Sequence, residues 1–242
     1  MTELLEFSLI YPMHNEESNV DPLLRRTYDS LMTHYQSEQK FEIICINDGS
    51  TDLTNQKVEK WVDLKKNIKI FSFSQPHGHS AALAKGFELV SSSKYAMICD
   101  ADLQYLPEEI PAFLEKMERN SQLSIINGWR VKKYEPVLKI LTSNFYNFLM
   151  RFFFKTQLHD HASTFTLYRT EQVRNLKLQN NDQRYIIPII KAKWKLNNAQ
   201  IIEIPIQHQP RKHGKSHYSV TKNILFGLYE TLKKKIQLSK EY

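Results

Sequence analysis

Tyr95-Ala-Met-Ile-Cys-Asp-Ala-Asp-Leu-Gln104 joins an apolar run to two aspartates that flank a single alanine. A run this short, ended abruptly by polar turn residues, reads as a strand buried on both faces. Three earlier stretches have the same form: Phe7-Ser-Leu-Ile-Tyr-Pro12, Phe41-Glu-Ile-Ile-Cys-Ile46 and Ile68-Lys-Ile-Phe-Ser-Phe73. Helical patterns separate them. Val20, Leu23, Leu24, Tyr28 and Leu31 recur on one helical face, and Ser80 to Ser91 forms another helix. Val58, Trp61 and Val62 point inward from a helix that Thr51 or Asp52 should cap. Strands alternating with helices imply an α/β chain, with a mostly parallel sheet covered on both faces.

The second half is less regular. It contains a strand near Leu123–Asn127, an aromatic helix over Leu141–Phe154, and strands near Thr164–Tyr168 and Ile201–Ile206. From Val220 to Ile236 the apolar residues share one helical face, and Lys233-Lys234-Lys235 lies at its end. With no repeat and no linker, the chain reads as one large domain over residues 1–219. A C-terminal amphipathic helix and tail follow over 220–242.

Composition narrows the class. Of 242 residues, 41 % are hydrophobic and 24 % charged, which excludes a disordered chain. No apolar run approaches the ~20 residues of a membrane-spanning helix. Met1-Thr-Glu-Leu-Leu-Glu6 is acidic where a secretory leader is basic and then apolar. Two cysteines, Cys45 and Cys99, make neither a disulfide framework nor a zinc site. These features together predict a cytoplasmic chain. The net charge of +7 suits nucleic acid, an anionic membrane or a phosphorylated substrate. The chain has no aromatic-basic motif of an RNA binder, so nucleic acid is set aside.

In an open parallel sheet, ligands sit beyond the carboxyl ends of the strands. Here those ends are Pro12-Met-His-Asn-Glu-Glu17, Asn47-Asp48-Gly49 and Asp100-Ala-Asp102. Asp100 and Asp102 could share a hard divalent cation that in turn holds a diphosphate, or could simply form a turn. Asp48 could accept from a base or ribose, or could cap its own turn. Gln209-Pro-Arg-Lys-His-Gly-Lys-Ser-His-Tyr218 is a basic loop suited to phosphate, with Arg211 able to grip two oxygens. Arg130, after Gly128-Trp129, is a second phosphate binder or else half of an ion pair.

Taken in order, these pieces resemble the family 2 glycosyltransferases. The branch is that of dolichol-phosphate mannose synthase and the bacterial polyprenyl-phosphate glycosyltransferases. The matching motifs begin with Pro12-x-x-Asn15-Glu16, Asn47-Asp-Gly-Ser-Thr-Asp52 and Gly78-His-x-x-Ala82-x-x-x-Gly86. Asp100-Ala-Asp-Leu-Gln104 with Pro107-Glu108, Gly128-Trp-Arg130 and His159-Asp160 follow. Arg184-Tyr185-Ile186-x-Pro188 and Glu203-Ile-Pro-x-x-His208-x-Pro-Arg211-x-x-Gly-Lys-Ser216 complete the series.

The resemblance implies a GT-A fold and an inverting transfer from a UDP- or GDP-linked sugar to a polyprenyl or dolichyl phosphate. It implies that Pro12, His14, Glu16, Ile46, Asp48 and Ala101 hold the nucleotide-sugar. Asp100, Asp102 and Gln104 would hold Mg²⁺ or Mn²⁺. Arg130, Arg211 and His217 would meet the phosphates, and Arg130, Lys139 and Ser143 the acceptor phosphate. Asp100, Asp102, Arg130 and Arg211 would carry catalysis. An acceptor phosphate is already anionic, so the reaction requires no strong base.

This chain departs from the family at His217, usually Lys, at His14, usually Tyr, and at Tyr105, Ala162 and Thr166. Relatives often add two membrane helices, and no such segment occurs here. The amphipathic 220–236 segment, the aromatic helix or a membrane-anchoring partner protein would then bring the enzyme to the cytoplasmic face of a membrane. The runner-up reading is a family 2 enzyme acting on a hydroxyl of a soluble glycan or protein. It would need a base, for which Asp160 or His159 is the first suspect.

Overall fold

The computed structural model describes residues 5–90, 92–134, 137–171, 187, 191 and 199–211. Strands β1 (Phe7–Met13), β2 (Phe41–Asp48), β3 (Ile68–Phe73) and β4 (Tyr95–Ile98) pair in parallel, in the order β3-β2-β1-β4. Helices α1 (Glu17–Tyr35), α2 (Thr54–Leu64) and α3 (His79–Leu89) connect them. The period-2 alternation of a strand divides the apolar residues between two cores. Leu9 and Tyr11 of β1 join Val20 and Leu24 of α1, whereas Ile10 joins Ala82 and Leu83 of α3 on the other face. Gly86 lets α3 close on β1, because a Cβ there would lie 2.3 Å from Ile10 Cγ2.

Pro12 stands in a central strand without disrupting it. The β1–β4 pairing ends at Ile10↔Ile98, so Pro12, which has no N–H to offer, lies beyond the last rung on that side. The cap position of α2 falls to Leu53, not to Thr51 or Asp52, but Asp52, two residues before the helix, still binds its first residue. Asp52 Oδ1 accepts from Thr54 N at 2.9 Å and from Thr54 Oγ1 at 2.5 Å.

The sheet continues through β5 (Leu123–Arg130), β6 (Thr166–Arg169) and β7 (Gln200–Ile206), giving the full order β3-β2-β1-β4-β6-β5-β7. Strand β6 is antiparallel to both neighbours, while β5 and β7 are parallel, so the sheet is mostly parallel as the alternation implies. Helix α4 (Ile110–Glu118) covers the β5 side with Phe113, Leu114 and Met117.

The aromatic helix, α5 (Val137–Phe154), starts a turn earlier than the expected Leu141. It is also far less buried than its apolar content suggests. Asn147, Met150 and Phe154 face inward, while Val137, Leu138, Leu141, Phe145, Phe148 and Phe152 are exposed. No helix among the described residues is long and apolar enough to cross a membrane. His217, the motif residues Arg184, Tyr185, Ile186 and Pro188, and the 220–236 segment lie outside the described residues.

Candidate active site

The carboxyl ends of β2, β1 and β4, adjacent in the sheet, bring together three of the sequence motifs. The first two are locked to each other by side-chain clasps. Asn15 adopts φ +55°, a left-handed conformation that Asn tolerates, and its Oδ1 accepts from Thr51 N at 2.8 Å. Its own N–H donates to Ser50 Oγ at 2.9 Å. Gly49 turns the β2 end at φ +62°, and a Cβ would lie 2.5 Å from the backbone of Gln75. His14 Nδ1 donates to the Asp48 carbonyl at 2.7 Å, which fixes its tautomer and leaves Nε2 to accept from Asn15 Nδ2.

The Asp48 carboxylate caps the approach to α3. Its two oxygens accept from His77 N at 2.7 Å and Gly78 N at 2.8 Å. Of the two roles open to Asp48 in the sequence, the structure therefore displays the turn cap. Ile46 and Ala101 are core residues, with Ile46 wholly buried against Ile10 and Leu83. The side chain of Ile46 thus packs the sheet instead of lining the cleft, a correction to its expected contact with the nucleoside.

Past β4, Asp100 receives a hydrogen bond from His79 Nε2 at 2.9 Å, at the N-terminal end of α3. Asp102 Oδ1 accepts from Gln104 N at 3.1 Å, closing a turn in which Leu103 takes φ +59°. A leucine in that region costs about 1 kcal/mol, a strain held by the structure around it. Gln104 Nε2 donates to Gln209 O at 3.1 Å and so ties the 209–211 segment to this turn. Arg211 then spans the site, with Nη2 on Glu16 Oε1 at 2.5 Å and Nη1 on Asp102 Oδ2 at 3.4 Å.

The two aspartates titrate in opposite directions. Burial, and then the charge of Asp100, push Asp102 up to about 6. Burial also acts against the Asp100 anion, but the hydrogen bond and charge of His79 offset it and hold that group below its ordinary value. Burial raises Glu16 as well, against the pull of Asn19 and Arg211. Carboxylates crowded in this way suit a hard divalent cation. Among the described residues, no group of three His, Cys, Asp or Glu side chains converges on one point. Two neighbouring carboxylates fit a hard divalent cation that completes its shell with phosphate and water. Asp100 and Asp102 would hold it, and the Gln104 side chain stands beside them, anchored through its amide nitrogen.

A second cluster lies at the ends of β5 and β7. Arg130 binds the Asp160 carboxylate in a fork, at 2.6 and 2.9 Å. Lys133 reaches Asp160 at 3.6 Å and donates to Ser143 Oγ of α5 at 3.1 Å. Lys139 stands one turn before Ser143 on the same helix face. Asp160 is fully buried. Burial opposes its charge, but Arg130, Lys133 and Lys191 prevail and hold it well below the usual carboxylate range. Asp160 is therefore held as an anion with both oxygens engaged by Arg130. His159, the other suspect, is exposed, donates through Nδ1 to Glu203 at 2.8 Å and stacks on Trp129 with ring centroids 4.4 Å apart. Arg130 is near enough to Asp100 for its charge to lower the pKa of that group, so the two clusters are electrostatic neighbours.

The comparisons with known proteins bear on the family and the fold. The model of glycosyl transferase family 2 matches residues 8–176. The chain belongs to that family. It is 28 % identical over 220 residues to a dodecaprenyl-phosphate galacturonate synthase of Rhizobium johnstonii, covering 90 % of this chain and 63 % of that protein. It is 27 % identical to an undecaprenyl-phosphate 4-deoxy-4-formamido-L-arabinose transferase of Pseudomonas fluorescens, covering 91 % and 63 %. The chain thus spans under two thirds of the length of these relatives.

Among solved structures, glucosyl-3-phosphoglycerate synthase from Mycobacterium tuberculosis with UDP superposes with a TM-score of 0.68. The identity is 14 %, with 91 % of this chain and 78 % of that one covered. A Pyrobaculum calidifontis mannosyltransferase with GDP-mannose and Mn²⁺ gives 0.59 at 19 % identity, over 84 % and 56 %. Both likenesses establish the GT-A fold of the family 2 chain.

Two residues that hold these clusters together were not among the candidate site residues of the sequence. Lys133 falls in Val131-Lys-Lys-Tyr134, indistinguishable by pattern from a solvated basic turn. Tyr105 was a mere departure from the family. It is buried, stacks on Phe165 at 5.4 Å and forms a bridge to His208, so that it joins the Asp-x-Asp turn to the 208–211 segment.

Proposed function

We propose that this family 2 chain transfers a sugar from a UDP- or GDP-linked donor to a polyprenyl phosphate, with inversion at the anomeric carbon. The observation that carries the reading is the buried Arg130–Asp160 fork beside Lys133 and Ser143. It makes a rigid cationic corner next to the Asp-x-Asp turn and leaves Asp160 unable to take a proton. A corner of that kind suits an acceptor that arrives as an anion. The names of the curated relatives, which act on dodecaprenyl and undecaprenyl phosphates, support the same choice.

In the proposed reaction an acceptor phosphate oxygen attacks the anomeric carbon as the bond to the diphosphate oxygen breaks. The electron pair leaves on the nucleoside diphosphate. Arg130, Lys133, Lys139 and Ser143 position the incoming phosphate. Arg211 turns from Glu16 and Asp102 to the departing diphosphate, joined by His217. A bound Mg²⁺ or Mn²⁺ on Asp100 and Asp102 would neutralise the diphosphate charge. Pro12, His14, Glu16 and Asp48 form the wall on which the nucleoside lies. The exposed apolar face of α5 brings the enzyme to a membrane surface, where the lipid acceptor resides.

The test is calorimetric titration with UDP, GDP and their sugar conjugates, with and without Mn²⁺, followed by transfer to undecaprenyl phosphate. Metal-dependent binding and product formation are expected. Transfer to a soluble hydroxyl acceptor alone, abolished in His159→Ala, would favour the exposed His159–Glu203 pair as a base instead.

A further inference from the structure

We propose that Lys191 is a positioning residue of the transfer reaction. It holds the 159–163 turn in the arrangement from which Asp160 aims Arg130 at the acceptor anion. The proposal rests on the reading of Arg130 as a ligand of the acceptor phosphate.

No sequence motif includes Lys191, yet its side chain is wholly buried. Its Nζ donates to Asn127 Oδ1 at 2.5 Å, Ser163 O at 2.7 Å and His161 O at 3.1 Å. Three N–H bonds meet three oxygens, a complete set for an ammonium group. A methionine would fill nearly the same space without the penalty of burying a charge, so the cation is present for what it grips.

Two of the three oxygens it grips are backbone carbonyls of the turn that carries Asp160. Other side chains hold the turn as well: Asn147 Oδ1 accepts from His161 N at 3.1 Å and Thr166 Oγ1 donates to Ser163 O at 3.1 Å, while two more grip its Asp160 end. Asn127 Nδ2 donates to Asp160 O at 2.8 Å, and Glu203 accepts from His159 N at 2.7 Å and Asp160 N at 3.1 Å. Asn127 Nδ2 also reaches Glu203 Oε1 at 2.9 Å, so Lys191, Asn127 and Glu203 form one connected clasp. Asn127 comes from β5 and Glu203 from β7, and Lys191 closes the third side.

The turn so fixed presents a single acid. The Asp160 carboxylate lies in the fork of Arg130, and its two contacts set the direction of a planar guanidinium that has little freedom of its own. Releasing the His161 and Ser163 carbonyls would let the turn swing and Arg130 turn with it. Burial pulls the Lys191 ammonium down to about 7, against the opposing charges of Asp160 and Glu203, so its hold on the turn is a matter of hydrogen bonds and not of spare charge.

The experiment uses Lys191→Met in the full chain, with circular dichroism and melting to establish that it folds. Donor affinity is read by calorimetry with UDP or GDP and Mn²⁺, and transfer by steady-state kinetics with undecaprenyl phosphate. The expected result is an acceptor KM raised about tenfold or more, with kcat and donor affinity changed by less than about threefold. Should Lys191→Met not fold, Asn127→Ala takes its place, since it removes one lysine acceptor and the clasp on Asp160 O. The same split is expected. A folded variant whose acceptor KM stays within about twofold of the parent overturns the proposal, as does one that loses donor affinity and kcat together with KM. An unsubstituted chain that binds nucleotide but transfers nothing to undecaprenyl phosphate overturns the acceptor reading itself, before any variant is compared.

Discussion

The two ends of the cleft handle charge in opposite ways. On the β1–β4 side, Glu16, Asp100 and Asp102 crowd together with one arginine and one histidine, and two of the three acids are pushed upward. On the β5–β7 side, Asp160 is enclosed by Arg130, Lys133 and Lys191 and is held far below its ordinary value. The first side has carboxylates in excess, which suits the cation and diphosphate of the proposed reaction. The second has its charges closed on one another and is built to hold a cation still.

Asp102→Asn attacks that contrast most directly. Transfer is expected to fall about a thousandfold, and metal-dependent nucleotide binding in calorimetry to vanish. The melting temperature should hold or rise, because a crowded carboxylate has been relieved. Asp160→Asn should do the reverse. Removing the partner of a buried arginine costs about 3 kcal/mol, measurable by denaturant unfolding, while metal-dependent nucleotide binding persists. If Asp160→Asn instead abolished metal binding, the two sides would be one electrostatic unit and the contrast would fail.

A third experiment sharpens the comparison through pH. His161 is buried between Thr156 Oγ1 and Asn147 Oδ1, and burial, then the charge of Lys191, hold it down to about 3. The unfolded chain takes up that proton near 6.5, the folded one only near 3, so stability is lost as pH falls through that window. Asp160, also depressed, acts in the same direction at the lower end. Melting temperature should therefore drop on acidification from neutral pH, and His161→Gln should flatten the dependence.

The smallest effect belongs outside both clusters. Glu108 falls in a sequence motif, but its carboxylate pairs with Arg26 in an exposed fork at 2.7 Å. Glu108→Gln should cost no more than about 1 kcal/mol by denaturant unfolding and leave transfer unchanged.

Much of the fold was legible because the strands are short apolar runs and the helices keep a strict period. Val20, Leu23, Leu24, Tyr28 and Leu31 are all buried on α1, as their spacing requires. Helix α5 misled in its burial because apolar content does not say which face meets the domain. Its polar Asn147 faces inward while Phe145, Phe148 and Phe152 are exposed. In the candidate site, Asp100 and Asp102 were legible as carboxylates two positions apart at a strand end. Ile46 was misplaced by carrying over a motif position whose side chain the strand pleat turns into the core.

The sequence by itself determined the α/β alternation, the strand-end carboxylates and the family, since these depend on residue type and local order. Only the tertiary structure decided that Asp160 serves Arg130, that Arg211 reaches back to Glu16, and that Lys191 grips the turn at His161 and Ser163. These pairs join residues 30, 195 and 28–30 positions apart. The energy of a buried charge depends on what the whole fold places around it, and no local pattern encodes that.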